Sequence, residues 1–201
     1  MKVKDLMIPD PITVSPKTTI SDAIEIMKNN AIRHLPVVTK GNMLKGFVTL
    51  SRLRQGLMPS MLEDVTFSDL IVKKPITVHP EDDIEIAAQL IYNYKIGGMP
   101  VTDGGKLVGI ITESDILRAF IDMMGLLERS SRIDVVIGNK PKLLRKAFDI
   151  IQDNDGEILS VSLSSVQSSK RVHYFRLSPC KTLRIKRALE KEGFDVVGNR
   201  D

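Results

Sequence analysis

The chain repeats itself. Asp5-Leu6 through Pro11-Ile12-Thr13-Val14 and Pro16 returns as Asp69-Leu70 through Pro75-Ile76-Thr77-Val78 and Pro80, 64 residues later. Ile32 recurs as Ile96, and Pro36-Val37 as Pro100-Val101. After a one-residue gap, Gly46-Phe47-Val48-Thr49-Leu50-Ser51 is answered by Gly109-Ile110-Ile111-Thr112-Glu113-Ser114. Two copies of one supersecondary unit tend to bury their apolar faces on each other. They also create two equivalent crevices, so positions where the copies differ point to function.

Each copy reads as extended run, helix, hairpin, helix. In the first, Pro11 to Val14 is extended, and Thr19-Ile20-Ser21-Asp22 opens a helix as a capping box. Ile20, Ala23, Ile24 and Met27 form its apolar stripe, and Asn29-Asn30 ends it. Leu35 to Val38 and Leu44 to Leu50 read as strands around a Lys40-Gly41-Asn42 turn. A second helix starts at Ser51 and breaks at Gly56 and Pro59. The second copy places the run at Ile76 to Val78 and the helix at Asp83 to Tyr94. Its hairpin is Met99 to Thr102, Asp103 to Lys106, then Leu107 to Thr112. A longer helix extends from Ser114 to Leu127, with Leu117, Phe120, Ile121 and Met124 on one side.

From Ser130 the rhythm changes. The elements in turn are strand Ile133 to Ile137, helix Pro141 to Gln152, strand from Ile158 through Val161 to Leu163, strand Val172 to Leu177 across Ser168-Ser169, helix Thr182 to Glu192 and strand Phe194 to Val197. That order is β-α-β-β-α-β, the ferredoxin-like motif. The expected domains are 1–63, 64–129 and 130–201, an α/β (α+β) chain with its last boundary at Ser130-Ser131.

An apolar fraction of 42% supports a packed core. Without Trp, and with 4% aromatics, base stacking on aromatic platforms is a poor binding mode here. The single Cys180 excludes an internal disulfide and Cys-rich zinc sites, and reads as a buried or half-buried thiol. No signal-peptide h-region or bilayer-length apolar run appears, so a soluble, cytoplasmic protein is expected. Residues 1–127 carry 14 Lys and Arg against 15 Asp and Glu; residues 128–201 carry 15 against 10. The basic final third is either a solvated face or a preference for an anionic partner. On the helix from Lys181 to Arg187, the same choice is between solvation and nucleic-acid phosphates.

Catalysis has little to stand on. His34, His79 and His173 share no metal-ligand spacing, and neither a nucleophile elbow nor a Walker or dinucleotide glycine loop is present. Asp82-Asp83 reads as carboxylates at a helix N-terminus. The informative segment is Gly109 to Asp115, a strand running straight into a helix. Thr112 and Asp115 have capping-box spacing, which is one role. The other is an acceptor pair at a cleft mouth, able to take both hydroxyls of a ribose, with Thr112 and the helix N-terminus suited to an anionic group.

Pro75-Ile76-Thr77-Val78, Gly98-Met99-Pro100-Val101 and Gly109-Ile110-Ile111-Thr112 with Asp115 make residues 1 to about 127 resemble a pair of CBS domains, or Bateman module. The resemblance implies two repeats packed by their sheets about a pseudo-two-fold axis, with two clefts that take AMP, ADP or ATP and sometimes S-adenosylmethionine. It implies that Asp115 holds the ribose and that Ile76, Thr77, Gly97, Gly98, Met99 and Pro100 enclose the base. It also implies that the Arg33-His34 pair of the other copy faces the phosphates. No cofactor is required; the adenine nucleotide is a regulatory ligand. The counterpart of Asp115 in the first copy is Arg52, which has no acceptor for a ribose diol, so that cleft should bind a nucleoside weakly. Arg33 can chelate phosphate bidentately, whereas Gly97-Gly98 leave room against the backbone. The plainer role of Arg33 and His34 is that of exposed strand-edge residues.

The C-terminal third is similar to an ACT domain, on its element order and on Asn139-Lys140-Pro141-Lys142-Leu143-Leu144. That family binds amino acids near this turn, but usually has Gly where this chain has Lys142, which obstructs close backbone approach. The whole order resembles the acetoin-utilisation B-type proteins. Taken together, a non-catalytic homodimeric sensor is expected, relaying nucleotide occupancy to the ACT-like part or to a regulated enzyme. The competing classes are an amino-acid sensor and a nucleic-acid-binding regulator. The apolar side of the Ser114 to Leu127 helix is either the dimer surface or an internal face.

Overall fold

The computed structural model describes residues 1–57, 65–126, 129–138, 141–164 and 171–201. The chain forms two compact units, Met1–Ala119 and Phe120–Asp201. The expected Ser168-Ser169 crossing, the Pro59 break, the Asn139-Lys140 turn and the 63/64 division lie outside the described residues.

In the first unit the repeat becomes structure with little alteration. The elements are β1 (Ile8–Pro9), α1 (Ile20–Asn29), β2 (His34–Thr39), β3 (Met43–Thr49), α2 (Leu50–Gly56), α3 (Phe67–Leu70), α4 (Ile84–Tyr94), β4 (Gly98–Asp103), β5 (Lys106–Thr112) and α5 (Glu113–Met123). Thr19 caps α1 by accepting from the Asp22 amide at 3.1 Å. β2 and β3 form one antiparallel hairpin, β4 and β5 another, and both carry a register shift at the same place, after Val37 and after Val101. The hairpins meet at their tips through Met43 opposite Lys106, two positions that the repeat itself makes equivalent.

The two cores match residue for residue. Val14, Ala23, Leu35, Val37, Val48 and Leu53 in one correspond to Val78, Ala87, Met99, Val101, Ile111 and Ile116 in the other. Each core, however, is finished by the leading segment of the opposite copy. Phe67, Leu70 and Ile71 pack with the first set, whereas Val3 packs with the second. The Val3 amide donates to Asp82 O at 2.9 Å and the Lys4 amide to Pro80 O at 3.0 Å. β1 lies antiparallel on β5, Ile8 opposite Ile110, and the equivalent bridge joins Phe47 to Val72.

Glycine makes this crossing possible. A Cβ on Gly46 would collide with Ile71 and sit 2.8 Å from Val72 O; one on Gly109 would lie 2.6 Å from Met7 Sδ and 3.1 Å from Ile8 O. Backbone meets backbone there with no space for a side chain. The repeated Gly46 and Gly109 thus mark where the exchanged segments lie.

The Asp82-Asp83 pair stands at the N-terminus of α4, as expected. Asp83 is the N-cap of α4, but its side chain does not cap the helix; Oδ1 takes Lys2 Nζ at 2.8 Å. Asp82 accepts from the His79 amide at 2.7 Å. From that position these carboxylates also hold the incoming N-terminal segment and the loop before the helix.

The second unit contains β6 (Ser131–Val136), α6 (Pro141–Asp153), β7 (Ile158–Leu163), β8 (Val172–Leu177), α7 (Thr182–Lys191) and β9 (Asp195–Arg200). Its sheet order, β7-β8-β6-β9 with every pairing antiparallel, is the ferredoxin-like arrangement. Ile133, Val135, Ala147, Ile151, Phe175, Leu177, Ile185 and Leu189 are its buried centre, with Phe148 edge-on to Phe175 at 5.5 Å. Cys180 is half-buried. β6 starts earlier than its apolar pattern predicts because Ser131 is buried at no polar cost. Its hydroxyl accepts from Cys180 N and donates to Cys180 O. β9 runs on to Arg200, past Val197, because a polar edge strand needs ladder partners rather than alternating hydrophobicity. α5 ends at Met123, ahead of the predicted end, and Gly125 turns the chain at φ 62°.

The crossing carries a prediction. Val3→Ala should cost about 2 kcal/mol, and the loss should fall on the second copy. Hydrogen exchange should speed up in β4 and β5 more than in β2 and β3.

Candidate functional site

Two crevices flank the paired hairpins. One, of about 400 Å³, lies where β5 meets α5 and is bounded by Ile110, Thr112, Ser114 and Asp115 together with Ile8 to Ile12 and Ala31 to His34 of the first copy. The other, of about 760 Å³, lies where β3 meets α2; Phe47, Thr49, Ser51, Arg54 and Gln55 face Lys95 to Gly98 and Glu113 there. Arg33 and His34 border both.

Asp115 sits in the first turn of α5 and is half-buried. Its Oδ2 accepts from the Thr112 amide at 2.8 Å and from the Thr112 hydroxyl at 2.6 Å. These bonds fix the carboxylate at the strand–helix junction. Oδ1 has no hydrogen bond among the described residues, which leaves an acceptor beside the crevice. The equivalent junction of the first copy is built the other way round: Thr49 Oγ1 accepts from the Arg52 amide, and Arg52 brings no acceptor of its own. The two junctions therefore share a fold and differ in chemistry.

Arg33 and His34 form the partition. Arg33 Nη2 lies 3.6 Å from Glu113 Oε1, with both side chains well exposed, so this pair is weak. The His34 ring stacks on Phe47 with centroids 5.6 Å apart. On its other side, a Cβ at Gly97 would stand 3.1 Å from His34 Nε2. Gly97 is thus the space that the imidazole uses. Burial holds the His34 imidazole below its ordinary value of 6.5; the neighbouring Arg33 charge pushes the same way and Glu113 opposes. Ala31 and Lys95, at equivalent positions just past α1 and α4, both adopt left-handed backbone, at φ 52° and 54°. A non-glycine residue in this region is strained, and here the strain recurs at the entry to each crevice.

The ten residues expected to share one site fall in several places. Asp115, Thr112, Arg33 and His34 come together at the smaller crevice. Gly97 and Gly98 line the larger one. Met99 is fully buried in the second core and Pro100 is buried beside it in β4; Ile76 packs against that core and Thr77 is exposed. The apolar wall beside Asp115 comes instead from Ile8, Pro11, Ile12 and Ile32. The cause is the exchange of leading segments, which brings the first copy's extended run, and not the second's, alongside β5. Asp10, with φ 45°, and Ser114 at the smaller crevice, and Thr49, Ser51, Arg54, Gln55, Lys95 and Glu113 at the larger, are polar members that sequence reasoning missed. The repeat does mark Asp10 indirectly, since it stands next to the duplicated Pro11-Ile12.

A family model described as the CBS domain matches residues 3–58 and again residues 67–122. The chain belongs to the CBS-domain family. The chain is similar to a homoserine O-acetyltransferase from Methanosalsum zhilinae, 34% identical over 115 residues, 57% of this chain and 23% of that protein. The chain thus spans about a quarter of the length of that enzyme. Among solved structures, CBSX2 of Arabidopsis thaliana in complex with AMP is 29% identical, with TM-score 0.55, covering 61% of this chain and 97% of that one. A CBS domain pair solved with 5′-methylthioadenosine and S-adenosyl-L-methionine is 30% identical, with TM-score 0.55, covering 60% and 95%. An acetoin utilization protein from Vibrio cholerae is 31% identical, with TM-score 0.56, covering 64% and 96%. No described helix is long and apolar enough to cross a membrane. Among the described residues, no group of three or more His, Cys, Asp or Glu could hold a metal ion.

The His34 environment sets a pH dependence. The unfolded chain binds the His34 proton more readily than the folded one, so stability is full above the unfolded value and declines as pH falls through it. Burial lowers His173 in the same sense. The urea midpoint should therefore drop from about pH 7.5 to about pH 5.5. The drop should be smaller in His34→Asn, and an identical drop would show that His34 does not contribute.

Proposed function

We propose that the CBS pair binds an adenosine compound of the AMP, ADP or ATP class in the Asp115 crevice, and that the chain is a non-catalytic sensor. The observation that carries this reading is the fixed Asp115 carboxylate. Thr112 occupies one oxygen through two bonds, and the other is left to accept from a ribose diol. A cavity of about 400 Å³ falls in the range of small-molecule sites. Ile8, Pro11, Ile12 and Ile32 offer an apolar wall for a base, while Arg33 offers a cation and His34 a ring nitrogen for hydrogen bonding to phosphate. The similar CBS pairs solved with AMP, 5′-methylthioadenosine and S-adenosyl-L-methionine hold compounds that share an adenine and a ribose. These are the two parts that an apolar wall and a fixed carboxylate would read.

The same reading makes α5 the relay. Asp115 lies in its first turn, and the helix continues past Ala119, where the first compact unit ends. A ligand that prefers one position of that turn would bias the rest of the helix. In this proposal the ferredoxin-like unit is an ACT-type receiver. The exposed Leu117, Phe120 and Met123 on α5 supply the contact of a homodimer.

Calorimetry on the full chain tests the ligand assignment. AMP, ADP, ATP and S-adenosylmethionine are titrated into the wild type and into Asp115→Ala. Asp115→Ala should weaken the preferred compound by about tenfold or more, equivalent to about 1.4 kcal/mol. An unchanged affinity in a variant that unfolds like the wild type would remove Asp115 from the site.

A further inference from the structure

The second unit places a row of arginines on one sheet face. Arg132 stands directly opposite Arg176 on β8 and directly opposite Arg200 on β9. Neighbouring strands hold directly opposed residues about 4.5–5.5 Å apart, with their side chains on the same face. The buried Ile133, Val135, Phe175 and Leu177 alternate with this row, so it lies on the face away from the core. Like charges placed directly across a ladder are unfavourable. A sheet face carrying three of them in line needs a counter-charge.

The chain supplies only part of one. Asp134 takes Arg132 through both carboxylate oxygens, at 2.6 and 2.9 Å, and Arg132 also lies over the Tyr174 ring at 4.5 Å. Arg176 donates to the Ser130 hydroxyl, a neutral partner. Arg200 and the nearby Arg129 have no ion-pair partner among the described residues. Among the described residues, Asp201 supplies the other side-chain carboxylate, and its Oδ1 is engaged by the Thr182 amide and hydroxyl at 2.8 and 2.6 Å. These groups surround a cavity of about 460 Å³ that Arg129, Arg132, Arg176, Arg200, Ser130 and Ser131 help to line. Among the described residues, these four guanidinium groups outnumber the side-chain carboxylates of Asp134 and Asp201 beside them.

We propose that this cavity is an anion site, separate from the Asp115 crevice, that takes a diphosphate group. Guanidinium forks match phosphate oxygens bidentately. Each phosphate centre brings more charge than a carboxylate, and two linked centres fit a row that spans two strand intervals. A concave cavity of small-molecule volume encloses a compact ligand, whereas a nucleic-acid backbone needs an open basic stripe. The extension of β9 to Arg200 serves this purpose, because without it the row would end at Arg132. The diphosphate comes either as the free inorganic ion or as part of a nucleotide; both carry the chemistry that the row recognises.

The test uses the full chain in Asp115→Ala form, so that the nucleotide crevice proposed above does not report. Inorganic pyrophosphate, ADP and sulfate are titrated by calorimetry at low ionic strength. Pyrophosphate should bind, and sulfate, with a single anionic centre, should bind about tenfold more weakly. ADP binding like pyrophosphate would assign a nucleotide source; pyrophosphate alone would assign the free ion. Arg129→Gln with Arg200→Gln removes two side chains that have no ion-pair partner among the described residues, so the fold should survive. This pair should weaken pyrophosphate about tenfold or more. Absence of pyrophosphate binding, or binding that this double variant leaves unchanged, would overturn the site. Loss of pyrophosphate binding on Arg33→Gln alone would place the anion in the CBS pair and overturn it as well. Tighter binding of a single-stranded oligonucleotide, also lost in the double variant, would overturn the small-ligand assignment. None of these outcomes alters the AMP titration against Asp115→Ala, so failure of one proposal is distinguishable from failure of the other.

Discussion

The structure of the CBS pair depends on two places where backbone passes backbone with no side chain between. At Gly46 the segment leading into the second copy lies against β3, and at Gly109 the segment leading into the first lies against β5. The rest of the pair is built on that crossing. It completes each core with residues from the other copy, Phe67 and Leu70 in one and Val3 in the other. It brings Ile8 to Ile12 alongside Ile110, and so builds one wall of the crevice in which Asp115 stands. A larger residue at either glycine would push the strand and the crossing segment apart and would open core and crevice together.

The duplication made most of the fold legible. Helix stripes, turn residues and alternating strands all pointed to the same elements, and the agreement of local signals with a repeat is what makes a sequence readable. The crossing was not legible, because a repeated pattern says which segments are alike and not which copy each one packs on. Hence the base wall was expected from Ile76, Thr77 and Gly97 to Pro100, whereas Met99 is a core residue and Gly97 is the space beside His34. Thr112 and Asp115 were legible because a side chain three residues on from a threonine has a definite local geometry. Ser131 and Arg200 were not, since a polar residue at a strand end looks the same in sequence as one in a loop.

The backbone of the pair is nearly symmetric and its charges are not. Ala31 and Lys95 keep the same left-handed conformation, and Met43 faces its own counterpart Lys106. Onto that frame the copies hang different groups: Arg33 against Gly97, His34 against Gly98, Arg52 against Asp115. Symmetry in the main chain preserves two crevices of similar build, and the side chains then give each its own electrostatic sign. Packing carries the repeat, and chemistry resides in the positions that break it.

Arg33 and His34 stand at the border of both crevices. A single guanidinium cannot turn toward two occupants at once, and a single imidazole cannot be charged for one and neutral for the other. If both crevices were occupied, a molecule on one side would therefore set the rotamer and protonation that a molecule on the far side meets. Linkage makes that influence mutual and of equal size in both directions. Under the proposed function, the Arg33–His34 partition would couple the two chambers as well as divide them.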